Sequence, residues 1–452
     1  MTAIKRFEVD TSKLTQKEKK IFEKLILAAE LIAPLYLKQK NNKYPGANFY
    51  PHDVTKEEIG KAASKNPAIL DPYTFVEKDK SGKFVAISFH IKFQKELKPV
   101  AKLLMEAAKL ADNKDFVRYL KSRAEALLKG SYEKSEIVWL QTEPFKFGFV
   151  IGPIERYLDK LFFRKCAYQA WVGIMDEKET IEAEKLKRII LANRQRILPG
   201  SEKVDVSRLG IRVDKTAIFS GLIADFMFTG TNLPNDVNLM EKYGSNLTVF
   251  ETSLDWKFNE RLFPIFKAIF DKDLQKLCSQ KGLYKGALDG IVLHEVAHSL
   301  IRYRDAEERL GNLFPILDEL YADLLGIKGC GIVLLKGALS QKELEAILIM
   351  YVCYNFNWWL NLIKNPDVSH YVTGMAIVLN FFLREKVIQD EKGYSWPDFA
   401  KLFICINELA HVLEYHLALG SYSEAKEFVQ KYGSLDVFKH FSSQLAEVQK
   451  NL

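Results

Sequence analysis

Gly290-Ile291-Val292-Leu293-His294-Glu295-Val296-Ala297-His298-Ser299-Leu300-Ile301 sets two histidines inside an apolar run. Such a run predicts a helix, and there His294 and His298 lie one turn apart on a shared face. Both imidazoles then reach one ion. Glu295 sits one position round from His294, close enough to contact a water on that ion but not to complete its ligand set. Two histidines, a third protein ligand from elsewhere and an open position for water are the plan of a zinc site that hydrolyses peptides.

The third ligand is expected from Ile316-Leu317-Asp318-Glu319-Leu320-Tyr321-Ala322-Asp323-Leu324-Leu325-Gly326. Glu319 lies 21 residues after His298, which allows the first helix to end, a turn at Gly311-Asn312-Leu313-Phe314-Pro315, and a second helix to return. Asp323 is one turn beyond Glu319 on the same face. It is placed to accept the outer N–H of a ligating histidine, as carboxylates around zinc sites commonly do.

Around these segments the chain reads as an ordinary globular protein. Its 452 residues suffice for two or three core-bearing units, and it is 48% hydrophobic and 27% charged. The net charge of +7 is mild and spread along the sequence. With no basic block or aromatic-basic module it makes no case for nucleic acid as a partner. The first residues, Met1 to Lys13, lack an apolar signal core. The uncharged run from Ala346 to Ile363 is interrupted by Asn355, Asn357 and Asn361. It predicts a buried core helix, not a membrane span. Five cysteines (Cys166, Cys278, Cys330, Cys353 and Cys405) are scattered with no metal-binding spacing. A reducing cytoplasm fits them.

Thr15-x-x-Glu18 is a capping box that opens a helical pattern running to about Lys38. Thr55-Lys56-Glu57-Glu58 caps a shorter helix after the loop Asn48-Phe49-Tyr50-Pro51-His52-Asp53. Tyr73 to Phe89 alternates as two short strands around Asp79-Lys80-Ser81-Gly82. Lys95 to about Leu128 is helical again. In Ile151-Gly152-Pro153-Ile154-Glu155-Arg156-Tyr157-Leu158-Asp159 a Gly-Pro turn is expected before Glu155 and Tyr157. Asn232-Leu233-Pro234-Asn235 is a turn-rich extended segment, and Leu247 to Phe250 reads as a strand. From the metal segments onward the pattern is helical, including Met375 to Leu383, Tyr422 to Tyr432 and Leu435 to Val448. His411 and His416 have poor ligand spacing and read as structural.

In order, Asn48-Phe49-Tyr50-Pro51 with Thr55-Lys56-Glu57-Glu58, Gly152-Pro153-Ile154-Glu155-Arg156-Tyr157-Leu158-Asp159, Asn232-Leu233-Pro234-Asn235, the two metal segments and Ser369-His370 resemble the dipeptidyl peptidase III family of zinc exopeptidases. The resemblance runs from about residue 12 to 450. The family's better-known members carry one more residue between the two histidines, so the short motif here resembles a compact microbial branch. Their second motif, Glu-Glu-Cys-Arg-Ala-Glu, stands here as Asp318-Glu319-Leu320-Tyr321-Ala322-Asp323. That match puts the third ligand to one zinc ion at Glu319, with Asp318 and Asp323 as supporting carboxylates.

Further roles follow from the resemblance alone. It implies that Tyr157 donates a hydrogen bond to the developing oxyanion and that His370 supports the transition state. Asn232 and Asn235 would hold the substrate backbone, and Glu155 would bind its free amino terminus. A second glutamate of that subsite falls at Gln169, a neutral side chain, and an arginine that follows the family's histidine is replaced by Gly374. Charge-assisted hydrogen bonds are roughly twice as strong as neutral ones, so the Gln weakens an ammonium site. The family fold implies an α+β, mostly helical protein with two lobes around a wide cleft. Residues 1–176, 216–260 and 421–452 would form a lobe with a β-barrel core, and 177–215 with 261–420 a helical zinc lobe.

The expected protein is thus a cytoplasmic zinc peptidase acting on short peptides, with Glu295 as general base. It would release dipeptides from the free amino end. The sequence leaves open an oligo- or endopeptidase, a monoaminopeptidase and a weakly active peptide-binding protein. It shows no nucleic-acid or membrane partner and does not set the oligomeric state.

Overall fold

The computed structural model describes residues 3–142, 145–201, 208–301, 303, 305–362, 369–387 and 399–450. It divides into two compact units, one formed by Met1–Thr180 and Arg208–Thr252, the other by Ile181–Ser207 and Ser253–Leu452. Mostly helical with a curled half-barrel sheet, the fold is the α+β class expected.

Among the described residues the first unit holds eight strands: β1 (Ile4–Arg6), β2 (Thr74–Lys78), β3 (Phe84–Ser88), β4 (Phe147–Glu155), β5 (Ala167–Met175), β6 (Leu209–Gly221), β7 (Gly230–Leu233) and β8 (Ser245–Phe250). β2 and β3 form the hairpin that alternation announced. The others make a sheet in the order β4-β5-β6-β8-β7. β5 runs antiparallel along one edge of β6, while β8 lies parallel to its first half and β1 antiparallel to its end. Successive side chains on a strand point to opposite faces, and this sheet buries both. One face carries Phe149, Ile151, Tyr168, Ala170 and Val172 into the core shared with the flanking helices. The other gathers Val150, Trp171, Phe219, Leu233 and Phe250.

The helices around the sheet begin where the sequence says. Thr15 and Glu18 close a capping box on Gln16–Glu30, and Thr55 and Glu58 another on Lys56–Lys65. The pattern expected to run unbroken to Lys38 is two helices, because Pro34 at the start of Ala33–Gln39 offers no backbone N–H to continue the first. Likewise 95–128 is split into Gln94–Leu110 and Lys114–Lys129, the second capped by Asn113, which accepts from the Phe116 N–H at 2.8 Å.

Two expectations are corrected here. Gly152-Pro153 is not a turn: both residues lie within β4, paired to β5, and the irregularity is a bulge between Pro153 and Glu155. Gly152 takes φ +145°, and a bulge tolerates a proline that a regular ladder would not. The unit boundaries also differ. A cut at 215/216 would sever β6, whose first half pairs with β8, so 208–215 stays with the sheet. Residues 421–452 belong to the second unit. There Asn380 Nδ2 donates to the Tyr432 and Ser434 carbonyls at 2.8 and 2.9 Å, and the Trp359 and Phe438 rings stack at 5.1 Å.

The second unit is helical among the described residues. Gln280–His298 packs against Phe314–Leu335 and Gln341–Leu362, and Phe314–Leu335 against Phe399–Ala418. Gln341–Leu362 is the core helix expected from the uncharged run, with Asn355 and Asn357 buried; Ile363 lies outside the described residues. No described helix is long and apolar enough to cross a membrane.

A close approach in the sheet gives a stability test. Asp214 is fully buried, bonded to Arg212 at 2.6 Å, and a Cβ added to Gly148 would fall 1.7 Å from its Oδ2. Gly148→Ala is therefore expected to cost on the order of 3 kcal/mol in urea unfolding. Gly60, in the helix Lys56–Lys65 with nothing within 4 Å of an added Cβ, gives the opposite sign: Gly60→Ala should stabilise by about 0.5–1 kcal/mol.

Candidate metal centre

Helix Gln280–His298 starts at Ser279, whose Oγ accepts from the Gly282 N–H at 3.1 Å, and ends on His298 itself. A short helix, Ala306–Leu310, and a 3-10 turn, Gly311–Leu313, lead into Phe314–Leu335, with Pro315 in its first turn, where a missing N–H does no harm. The two helices touch at Gly326. A Cβ there would lie 3.0 Å from the Leu293 carbonyl carbon and 3.1 Å from the His294 nitrogen. One and two turns earlier, this contact brings Asp323 and Glu319 onto the histidines.

The expected ligand set comes together. His294, His298 and Glu319 each offer an atom within 4.8 Å of the others, and this is the single such group of three among the described residues. His294 Nε2 and His298 Nε2 are 3.1 Å apart. Glu319 Oε2 lies 3.6 Å from the first and 3.5 Å from the second. The rings stand at 88° to one another. Three lone-pair-bearing atoms that face one another need a cation or protons between them, so the donor set fits a divalent metal ion. Asp323 is placed beside the first histidine: its Oδ1 is 2.7 Å from His294 Nδ1, and His294 Nε2 faces the other two donors. Asp318 Oδ2 stands 3.7 Å from His298 Nδ1, a looser ion pair.

Electrostatics agree with this arrangement. Burial alone would lower the pKa of His294, but Asp323, Glu295 and Glu319 outweigh it and hold it at about 10. Burial likewise opposes the charge on His298, and Glu319 with Asp318 raises it. Burial pushes Glu319 up, yet the two imidazolium groups bring it down to about 2. Glu295, 9% exposed, is raised by burial, and Asp318 is raised by burial to about 6. His370, on helix Ser369–Arg384, contributes to the field at Glu319, and its ring centroid lies 4.1 Å from that of Tyr371. A Cβ added to Gly374 would lie 3.5 Å from Leu320 Cβ and 3.6 Å from the Ile316 carbonyl oxygen.

The residues assigned to substrate by resemblance lie in the first unit. Glu155, at the end of β4, is buried and accepts from Asn235 Nδ2 at 2.7 Å. Tyr157 is half-buried, with its ring 5.8 Å from Phe226 and 5.7 Å from Phe228. Asn232 is on β7, one residue before a cis Leu233–Pro234 bond. Gln169 is fully enclosed on β5 between Gly152 and Gly221, and neither of its amide atoms has a hydrogen-bond partner. Two positions had no role from sequence. Gly326 was legible only as a glycine inside an apolar helix, a sign of close packing. Asp159 was one letter of a motif.

Comparison with known proteins gives a family match over part of the chain, one curated relative and similar solved structures. Residues 43–197 match the model described as Peptidase family M49. That segment covers Tyr50, Glu155, Tyr157 and Gln169 and stops short of the metal helices. "Nudix hydrolase 3" of Arabidopsis thaliana is 24% identical over 433 residues, covering 86% of this chain and 54% of that protein. The chain thus spans about half the length of this curated relative. The structure of DPP III from Caldithrix abyssi superposes with a TM-score of 0.85 at 22% identity, over 99% of this chain and 96% of that one. Dipeptidyl-peptidase III from Corallococcus sp. strain EGB gives 0.83 at 24% identity, over 99% and 94%. The two superpositions show that the fold is shared.

Three measurements check the centre. Asp323→Ala should weaken a divalent ion about 10- to 100-fold in chelator competition with Zn2+. Gly326→Ala, which forces the two helices apart, should weaken it in the same assay while leaving the protein folded. Binding should also release protons. The carboxylates around His294 raise it to about 10 in the metal-free chain, so an ion binding there below that pH should displace a proton and affinity should rise with pH. Calorimetry at pH 7.5 in two buffers of different ionisation enthalpy reads the number released.

Proposed function

We propose that this chain, which resembles the dipeptidyl peptidase III family and shares its fold, is a zinc-dependent peptidase that releases dipeptides from the free amino end of short peptides. The observation that carries this is the convergence of His294 Nε2, His298 Nε2 and Glu319 Oε2 beside Glu295. Two imidazole nitrogens and one carboxylate oxygen are a donor set that suits zinc. When bound there, zinc supplies a Lewis acid that polarises the scissile carbonyl and lowers the pKa of a coordinated water to about 7.

The chain's own residues do the rest. Glu295, its carboxyl raised by burial, takes the proton of the attacking water and hands it to the leaving amine. Asp323 keeps the His294 Nδ1 proton in place and so fixes which nitrogen ligates. Tyr157 donates to the developing oxyanion, with His370 in support. Asn232 and Asn235 hold the substrate backbone, and Glu155 binds its ammonium.

A second possibility, an oligo- or endopeptidase or a monoaminopeptidase, is favoured by one feature. Gln169 is neutral and fully buried, so the amine subsite lacks a second carboxylate there. All five cysteines are free, which supports a reducing compartment such as the cytoplasm.

Mass spectrometry of products from a mixed library of short peptides, each free and acetylated at its amino end, tests this on the zinc-loaded protein. Loss of two residues from free peptides only is expected. Loss of one residue, or internal cuts in both forms, would establish the second possibility. No product at one equivalent of zinc would leave a peptide-binding protein. Glu295→Gln should retain zinc and lower turnover by at least about 100-fold; a variant that kept most of its activity would remove Glu295 as the base.

A further inference from the structure

The segment Asn48-Phe49-Tyr50-Pro51 has no part in the chemistry above, yet its tyrosine reaches the motif that does. Tyr50, 2% exposed, donates from its hydroxyl to Asp159 Oδ2 at 3.0 Å. Asp159 is fully buried, and its carboxylate collects four backbone N–H groups as well. Leu161 and Phe162 donate to Oδ1 at 3.2 and 3.1 Å, Arg164 and Lys165 to Oδ2 at 3.0 and 2.9 Å. Five donors on one enclosed carboxylate wrap residues 159–165 around it, and hydrogen bonds to an ionised group are the strong kind. The wrap is tight enough to hold Phe163 at φ +55°, a conformation that side chains of its size seldom adopt.

This loop follows directly on Glu155 and Tyr157. Arg156, Tyr157 and Leu158 pair with no strand. The turn that carries them is closed by the Asp159 N–H on the Arg156 carbonyl at 3.0 Å. Its other anchors are outside the motif. The Lys160 N–H donates to the Pro45 carbonyl at 2.8 Å. The buried Lys165 amine donates to the carbonyls of Ile69 and Asp71 and to Thr74 Oγ1, at 2.7, 2.8 and 2.7 Å. Tyr50 is itself fixed by the Phe162 ring at 5.8 Å and by the Lys165 amine 5.5 Å above its own ring.

We propose that the Tyr50–Asp159 hydrogen bond is the device that positions Tyr157 and Glu155, so that Tyr50 and Asp159 are positioning residues for the reaction; this rests on the function proposed above. The two sequence segments then stand in one chain because a hydroxyl from the first completes the carboxylate that sets the turn of the second. Neither Tyr50 nor Asp159 touches substrate.

The test is a double-mutant cycle of Tyr50→Phe with Tyr157→Phe on the zinc-loaded chain. A group displaced by about 1 Å can cost as much as 100-fold in rate, so Tyr50→Phe alone should lower kcat roughly 10- to 100-fold with zinc content unchanged. In the Tyr157→Phe background the same change should cost less than about 2-fold, because residues that act through one another are not additive. Equal losses in both backgrounds would overturn the proposal, since a general loosening of the fold gives that result. Should Tyr50→Phe fail to fold, Asp159→Asn, which keeps the shape and removes the charge, takes its place in the cycle. A wild-type chain without turnover would sink the function and not the positioning. Fluorine NMR of 3-fluorotyrosine incorporated at position 157 then decides: a shifted or broadened resonance on Tyr50→Phe supports the device, and superimposable spectra refute it.

Discussion

Two helices that build one metal site have to approach more closely than most side chains permit. Here Gly326 sets that distance. Its missing Cβ lets Phe314–Leu335 lie against the backbone at Leu293 and His294, where an added carbon would sit at 3.0–3.1 Å. Glu319 and Asp323 are seven and three residues back along the same helix, so their reach to His294 and His298 is measured from that contact. An imidazole and a carboxylate at 2.7 Å tolerate little displacement before the bond weakens. Apolar packing of the wider bundle thus does electrostatic service: Leu293, Val296, Leu320 and Leu324, all buried, hold charged neighbours at fixed separation.

The same packing creates a charge problem. Asp318, Glu319, Asp323 and Glu295 surround two imidazoles in a place with limited access to water. Bringing carboxylates together there is costly unless cations accompany them. In the metal-free chain the imidazoles answer by holding protons, which is why His294 titrates at about 10 in spite of its burial. A divalent ion offers the same compensation in a different form. His294, His298 and Glu319 would hold such an ion, with Asp323 still beside His294 Nδ1, and its charge would replace protons in balancing the same carboxylates. Proton release and metal affinity are two faces of one balance.

The helical half of this fold was legible because its signals are local. Capping boxes at Thr15 and Thr55 act within four residues, and the histidine pair carries its geometry in its spacing. What failed depended on distant partners. Gly152-Pro153 looks like a turn until β5 is known to lie alongside it, and then it is a strand with a bulge. Pro34 and the Ala111-Asp112-Asn113 stretch divide helices whose apolar stripe runs straight through them, because periodicity registers burial and not the loss of one N–H. The boundary inside β6 was misplaced for the same reason: only its parallel partner β8 shows which unit owns residues 208–215.

The site divides along the same line. His294, His298 and Glu319 were readable because a metal-type donor set restricts both residue type and spacing. Gln169 shows the limit of reading by correspondence. Aligned to a group that faces a substrate amine, it lies fully enclosed between two glycines of neighbouring strands. Asp159 shows the converse. Nothing in its neighbours' types announces a carboxylate that gathers four amides and a tyrosine from 109 positions away. Such a residue is defined by what converges on it, and convergence is a property of the folded chain. A donor set such as His294, His298 and Glu319 can therefore be found by motif, while a residue such as Asp159 has to be found by counting hydrogen bonds.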